Sequence, residues 1–153
     1  MKEQYYAGFD AGTQSVKAVI CNDKMECVAS ASRATTLTYP NPGWVEMDVD
    51  EYLALTKECL KDCTDQMKNK GLDVTAVRSI MGDGIICGIA GVDKDGNAIT
   101  PYINYLDSRT AQDVRELNEK NLAIWGNETG NAEANCMFPA MIARWILKNH
   151  REF

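Results

Sequence analysis

Apolar and polar positions along this chain change period several times, and each change marks an element. Tyr5 to Phe9 and Val16 to Cys21 are short runs rich in aromatic and β-branched residues, and Glu26 to Ala31 carries a third. Each predicts a strand, with turn chemistry over residues 10–15 and at Asn22-Asp23-Lys24. Three short strands on tight connections predict an antiparallel meander. Residues 33–47 then read as loop, punctuated by Pro40, Pro42 and Gly43. Asp48 and Glu51 have capping-box spacing and open a helix over Val49 to Lys68, where Tyr52, Leu55, Cys59, Cys63 and Met67 recur at helical intervals.

The second half repeats the alternation less cleanly. Val77 to Met81 predicts a buried strand and Ile85 to Val92 another, with a hairpin turn at 93–96 returning into a strand over Ala98 to Tyr105. Ser108 to Glu119 predicts a helix capped by Asp107 or Ser108. Phe138 to His150 predicts a last amphipathic helix whose apolar stripe is Met141, Ile142, Trp145 and Ile146. The order β-β-β-α-β-β-β-α-α implies an α/β fold: a mixed sheet of five or six strands, antiparallel at its N-terminal end and flanked by helices. There is no internal repeat. The chain stops on His150-Arg151-Glu152-Phe153 straight after that helix, the ending expected of a cut fragment.

Composition narrows the partners. The 153 residues are 45% apolar, enough for one core, and carry a formal net charge of −6. A scattered basic set on an acidic chain argues against a nucleic-acid partner, which needs clustered Lys and Arg. The densest basic spot, Arg144, Lys148 and Arg151, is read as complementing the negative end of a helix. No apolar run is long enough to span a bilayer and the start lacks the pattern of a signal peptide, so the expected location is the cytoplasm. The six cysteines include no C-x-x-C pair and the single histidine is His150. Cys59 and Cys63, one helical turn apart, are therefore read as small apolar residues on a buried face rather than metal ligands.

The chemistry is densest at Gly8 to Lys17, G-F-D-A-G-T-Q-S-V-K. A turn containing Gly12 lets backbone N–H groups approach an anion without interference from a Cβ. Thr13 and Ser15 add hydroxyls, and Lys17 adds a positive charge. Asp10 in such a setting suits a Mg2+ ion that also contacts phosphate. The alternative is a hairpin whose polar side chains are merely solvated. Neither a P-loop nor a dinucleotide fingerprint occurs.

With those residues in view, the stretch from Gly8 to Asp23 resembles the first phosphate motif of the actin, Hsp70 and sugar-kinase superfamily. Two further segments resemble FGGY carbohydrate kinases in particular. Pro42 to Asp48, P-G-W-V-E-M-D, is similar to the stretch before their first helix, and Gly84 to Thr110 to their sugar-facing hairpin. The final F-P-A-M-I-A-R-W-I-L-K-N is similar to their first signature helix. The resemblance implies a ribonuclease H-like (actin-like ATPase) N-terminal domain over residues 1–153, without the C-terminal nucleotide-binding lobe. It implies ATP and Mg2+ as cofactors and a sugar or polyol as substrate, xylulose first and glycerol or another polyol second. Asp10, Gly12, Thr13, Gln14 and Lys17 would serve the phosphates, with Asp10 toward the metal. Ile86, Cys87, Tyr105, Asp107 and Arg109 would face the substrate.

Two departures bear on substrate. Where xylulokinases carry Gln-Met-His this chain has Ile85-Ile86-Cys87, and where glycerol kinases carry Arg-Glu it has Ile86 and Cys87. Asp107 and Arg109 also have a plainer reading, as a helix cap and a first-turn surface residue. The family's catalytic Asp lies downstream of these residues, so no catalytic base is assigned here and the 153 residues alone are expected to be inactive. An Hsp70-like ATPase lobe and a non-catalytic sugar-binding module are the rival readings, and a homodimer is the candidate assembly.

Overall fold

The computed structural model describes residues 3–131 and 133–150, with the backbone alone for 121–125. Arg151 lies outside the described residues. The chain folds as two compact units, residues 1–36 with 50–85, and residues 37–49 with 86–153.

The first unit is a sheet with one long helix. Strands β1 (Tyr5–Ala11), β2 (Ser15–Asn22) and β3 (Cys27–Ala34) form the expected antiparallel meander, each longer than its apolar run because the polar flanks also join the ladder. Strand β5 (Val77–Gly84) adds to β1 in parallel, giving the order β3-β2-β1-β5. Helix α1 (Val49–Asn69) supplies the crossover that a parallel neighbour requires. Its face of Cys59, Cys63 and Met67 is fully buried against Tyr5, Val16, Ala18 and Ile20, with Tyr52 and Leu55 packed at the margin. Burying a side chain of the size of Met67 stabilises by about 1.5–3 kcal/mol. The reading of both cysteines as core residues holds. The helix also shields the β3 edge: the Gln66 amide donates to the Ser30 carbonyl at 2.7 Å and accepts from its N–H at 3.2 Å, and the Lys70 ammonium donates to the Val28 carbonyl at 2.6 Å. Edge groups satisfied in this way no longer template a foreign strand.

The second unit departs from the expected strands. Instead of long strands over 85–92 and 98–105, only β6 (Tyr102–Ile103) forms, paired antiparallel with β4 (Glu46–Met47). Residues 85–92 contribute single bridges, Ile89 to Ile103 and Val92 to Ala98. The cause is local, for Cys87 (φ 66°) and Gly88 (φ 77°) are both left-handed, a conformation no strand can continue through. Among the described residues the sheets therefore hold four and two strands, not one sheet of five or six. The predicted turn does form: the Asp93 carboxylate accepts N–H bonds from Asp95 and Asn97.

Helix α2 runs from Ala111 to Thr129 and α3 from Pro139 to Asn149. The expected cap of α2 at Asp107 or Ser108 is displaced to Thr110, because a turn closed by the Ala111 N–H on the Ser108 carbonyl precedes the helix. The helix ends at left-handed Gly130, the usual role of glycine past a C-terminus. The basic spot also acts differently from expectation. Arg144 and Lys148 on α3 both reach the buried carboxylate of Asp113 on α2, at 3.4 and 3.2 Å.

Candidate functional site

The predicted phosphate residues occupy one hairpin in the first unit. Asp10 and Lys17 are not in the turn but directly opposite each other on β1 and β2, and the turn itself is Gly12-Thr13-Gln14. The Gly12 N–H is spent on the Ser15 carbonyl at 3.1 Å, so this group is not a free anion donor. A Cβ at Gly12 would stand 3.1 Å from that same carbonyl, a tight contact that glycine avoids. The tip is pinned from β3 and the residue after it. The Thr35 hydroxyl donates to the Thr13 carbonyl at 2.5 Å, and the Thr35 N–H to the Gln14 carbonyl at 3.2 Å.

That pinning leaves the other polar groups of the hairpin uncommitted. Among the described residues, the N–H groups of Thr13 and Gln14, the Thr13 and Ser15 hydroxyls, the Asp10 carboxylate and the Lys17 ammonium have no hydrogen-bond or ion-pair partner. The sheet register extends the polar row across four strands: Asp83 on β5 lies beside Asp10, and Ser32 on β3 beside Lys17. A groove of about 700 Å3 runs along this row, with Asp10, Lys17, Val19, Ser30 and Ser32 in its wall. A rigid hairpin with unspent donors, one cation and one carboxylate has the parts needed to hold a phosphate and its metal.

The predicted substrate residues fall in the second unit and divide into two kinds. Ile86 is 83% exposed and Tyr105 is 38% exposed, and Cys87 is half-buried. Cys87 is held in its strained conformation by its own carbonyl, which accepts from the Tyr102 hydroxyl. Burial, and then Cys87 and Tyr105, push the Tyr102 phenol up to about 12. The Gly88 N–H donates to the Met137 carbonyl at 3.1 Å, which brings Met137 to this turn.

Asp107 and Arg109 are of the other kind, turned on each other. The Asp107 carboxylate is fully buried and accepts from the N–H of Val45 (2.6 Å), the N–H of Arg109 (2.8 Å) and the guanidinium twice. The Arg109 side chain is only 3% exposed. Its guanidinium also pairs with Glu46 at 2.6 Å and lies 3.9 Å above the Trp44 ring and 5.1 Å from that of Trp145. Arg109 is thus no surface residue, and Asp107 caps a turn rather than the helix. Asn104, fully buried, completes the fixture: its N–H donates to the Val45 carbonyl at 2.9 Å and its side-chain oxygen accepts from Leu106 at 3.0 Å. Glu46, Asn104 and Met137 were not singled out from the sequence, and Trp145 was read only as part of the apolar stripe of the last helix. Only Glu46 had a signal, standing two residues after Trp44 in the segment already noted.

Residues 5–153, through both the hairpin and this fixture, match the FGGY family of carbohydrate kinases, N-terminal domain. The chain belongs to the FGGY family. Among curated relatives it is 30% identical over 120 residues to a xylulose kinase of Staphylococcus xylosus, covering 78% of this chain and 24% of that protein. It is 27% identical over 150 residues to a glycerol kinase of Haloquadratum walsbyi, covering 97% of this chain and 29% of that protein. The chain therefore spans less than a third of the length of these relatives. The crystal structure of xylulose kinase from Rhodospirillum rubrum superposes with a TM-score of 0.85 at 26% identity, over 97% of this chain and 30% of that one. A Plasmodium falciparum glycerol kinase solved with ADP shares the fold, with a TM-score of 0.85 at 22% identity over 97% of this chain and 29% of that one. These FGGY relatives confirm the expected α/β actin-like fold and place the chain with the carbohydrate kinases rather than with a chaperone lobe. No helix among the described residues is long and apolar enough to cross a membrane.

Proposed function

We propose that the longer protein to which these residues correspond phosphorylates a hydroxyl of a sugar or polyol from ATP, with xylulose the first substrate to test and glycerol or another polyol the second. The observation that carries this is the contrast within the Asp10–Lys17 hairpin. Its backbone is pinned by Thr35, yet its carboxylate, ammonium, hydroxyls and the Thr13 and Gln14 N–H groups are unspent among the described residues. Phosphoryl transfer is catalysed chiefly by positioning and charge neutralisation, which a rigid set of free donors supplies.

In this reading Thr13 and Gln14 offer backbone N–H groups to the phosphates, Gly12 keeps the turn tight, and the Lys17 ammonium faces the transferring group. The Asp10 carboxylate fits Mg2+, which when bound would neutralise charge on the phosphate oxygens. Ile86, Cys87 and Tyr105 present the face toward the substrate. Asp107 and Arg109 serve it by fixing the segment that carries Tyr105. The general base is assigned to the rest of the protein, consistent with relatives more than three times as long, so these 153 residues alone do not turn over. The cellular setting proposed is the cytoplasm.

The test is Asp10→Ala in the full-length protein, assayed by coupled ADP release with xylulose and with glycerol. Turnover should fall at least about 100-fold, while sugar affinity by calorimetry stays within about twofold. Turnover that survives the change would remove Asp10 from the metal and phosphate site.

A further inference from the structure

The second unit contains a cavity of about 240 Å3 that is lined by none of Ile86, Cys87 and Tyr105. Its walls include the indoles of Trp44 and Trp145, set edge to face with centroids 5.3 Å apart, and the aliphatic side chains of Ile99 and Ile146. Glu46 and Arg109 provide charge on the wall. Aromatic and aliphatic walls with a few fixed polar groups are the usual make-up of a small-molecule site.

The polar groups are incompletely used. Arg109 spends Nε and Nη2 on Asp107 and Glu46, while its Nη1 has no hydrogen-bond partner among the described residues, although the side chain is 97% buried. The Nη1 atom is not itself wholly enclosed, so an acceptor that reaches it would complete the guanidinium's hydrogen bonds. Glu46 is the counterpart: Oε1 accepts from Arg109, and Oε2 has no partner among the described residues. One wall thus offers a donor and an acceptor that are already charge-balanced against each other. An anion drawn to Nη1 would meet the Glu46 and Asp107 carboxylates, and a cation drawn to Glu46 would meet the guanidinium. A neutral hydroxylated ligand avoids both, accepting from Nη1 with one hydroxyl and donating to Oε2 with its neighbour.

We propose that this cavity is a binding site for a small neutral polyol or sugar ring, separate from the substrate-facing segment. The proposal stands independently of the kinase reading. It is tested on the 15N-tryptophan-labelled chain, with Trp125→Phe to simplify the spectrum, by following the Trp44 and Trp145 indole N–H signals during titration with glycerol, xylitol and D-xylulose. At least one of these should shift both signals saturably. Ile146→Phe, which fills the cavity, and Ile99→Phe, at its rim, should each weaken that binding by about tenfold or more, whereas Tyr105→Ala should leave it unchanged. The proposal is overturned if no polyol gives a saturable shift, if both filled variants bind as the parent does, or if acetate or methylammonium saturates the signals while the polyols do not. Loss of binding in Tyr105→Ala would assign the shifts to the substrate-facing segment and overturn it equally.

Discussion

The guanidinium of Arg109 grips the carboxylate of Asp107 with two parallel bonds, Nε to Oδ1 at 2.9 Å and Nη2 to Oδ2 at 2.8 Å, and both side chains are almost wholly buried. Burying two charges is costly, so such a pair adds little over an apolar core, but removing one partner strands the other. Asp107→Ala would leave the buried Arg109 guanidinium with Glu46 as its one carboxylate partner among the described residues and would remove the acceptor of the Val45 N–H. Its expected cost is about 3–5 kcal/mol, read as a lowered urea midpoint with an unchanged slope. Arg109→Lys should not behave as a conservative change, because an ammonium cannot make the fork or stack flat over Trp44. A midpoint within experimental error of the parent for either variant would mean that the pair does not hold this segment.

The same pair shows how far the sequence could be read. Asp107 and Arg109 were legible as candidates, but not their partners, because Glu46 and Trp44 lie about sixty positions away and nothing local links them. The meander and α1 were legible because period and propensity agreed there: β-branched runs between turn residues, then Cys59, Cys63 and Met67 at helical spacing. Residues 85–92 misled for the opposite reason. Their apolar run satisfies a strand pattern, but Cys87 accepts a left-handed φ of 66°, which tertiary contacts impose and composition does not announce. The hairpin was found by residue type. That its Gly12 N–H is already used, while Thr13 and Gln14 remain open, required the geometry.

Glycine at position 88 is required on two counts. Its φ is +77°, and a Cβ would stand 2.5 Å from the Tyr102 hydroxyl and 2.6 Å from the Ile103 carbonyl. The left-handed conformation alone costs a non-glycine residue about 1–2 kcal/mol, and the clash adds to it. Gly88→Ala should therefore destabilise the chain by more than about 2 kcal/mol. Gly96, at φ +86° with open space around it, supplies the control, where alanine should cost only the backbone share. Equal melting temperatures for the two variants would contradict the packing inferred around Tyr102.

The thiols should separate by reactivity. Burial pushes the Cys63 thiol up to about 11 and raises Cys59 as well, whereas Cys27 is exposed. Only the thiolate is nucleophilic, and both core thiols are also shielded from reagent. Iodoacetamide at pH 8 should label Cys27 first, and Cys59 and Cys63 only at the rate of unfolding, as peptide mass spectrometry over a time course would show. Early labelling of Cys63 in folded protein would place α1 off the sheet.

The turn at Asp93 carries a pH dependence whose sign follows from its bonds. The Asn97 side chain, its backbone N–H and those of Asp95 and Gly96 hold the Asp93 carboxyl below the usual carboxylate range. A folded-state value below the unfolded value of about 3.9 means the unfolded chain binds the proton more readily. The stabilisation is therefore fully present above the unfolded value and disappears as pH falls through the folded one. The Asp93 carboxyl carbon, followed by NMR from pH 6 to pH 2, should titrate at lower pH than in an unfolded peptide of the same sequence. Asn97→Ala removes the leading cause and should move that midpoint upward, with the turn persisting above pH 5. A midpoint unmoved by Asn97→Ala would leave the backbone donors alone as the source of the depression.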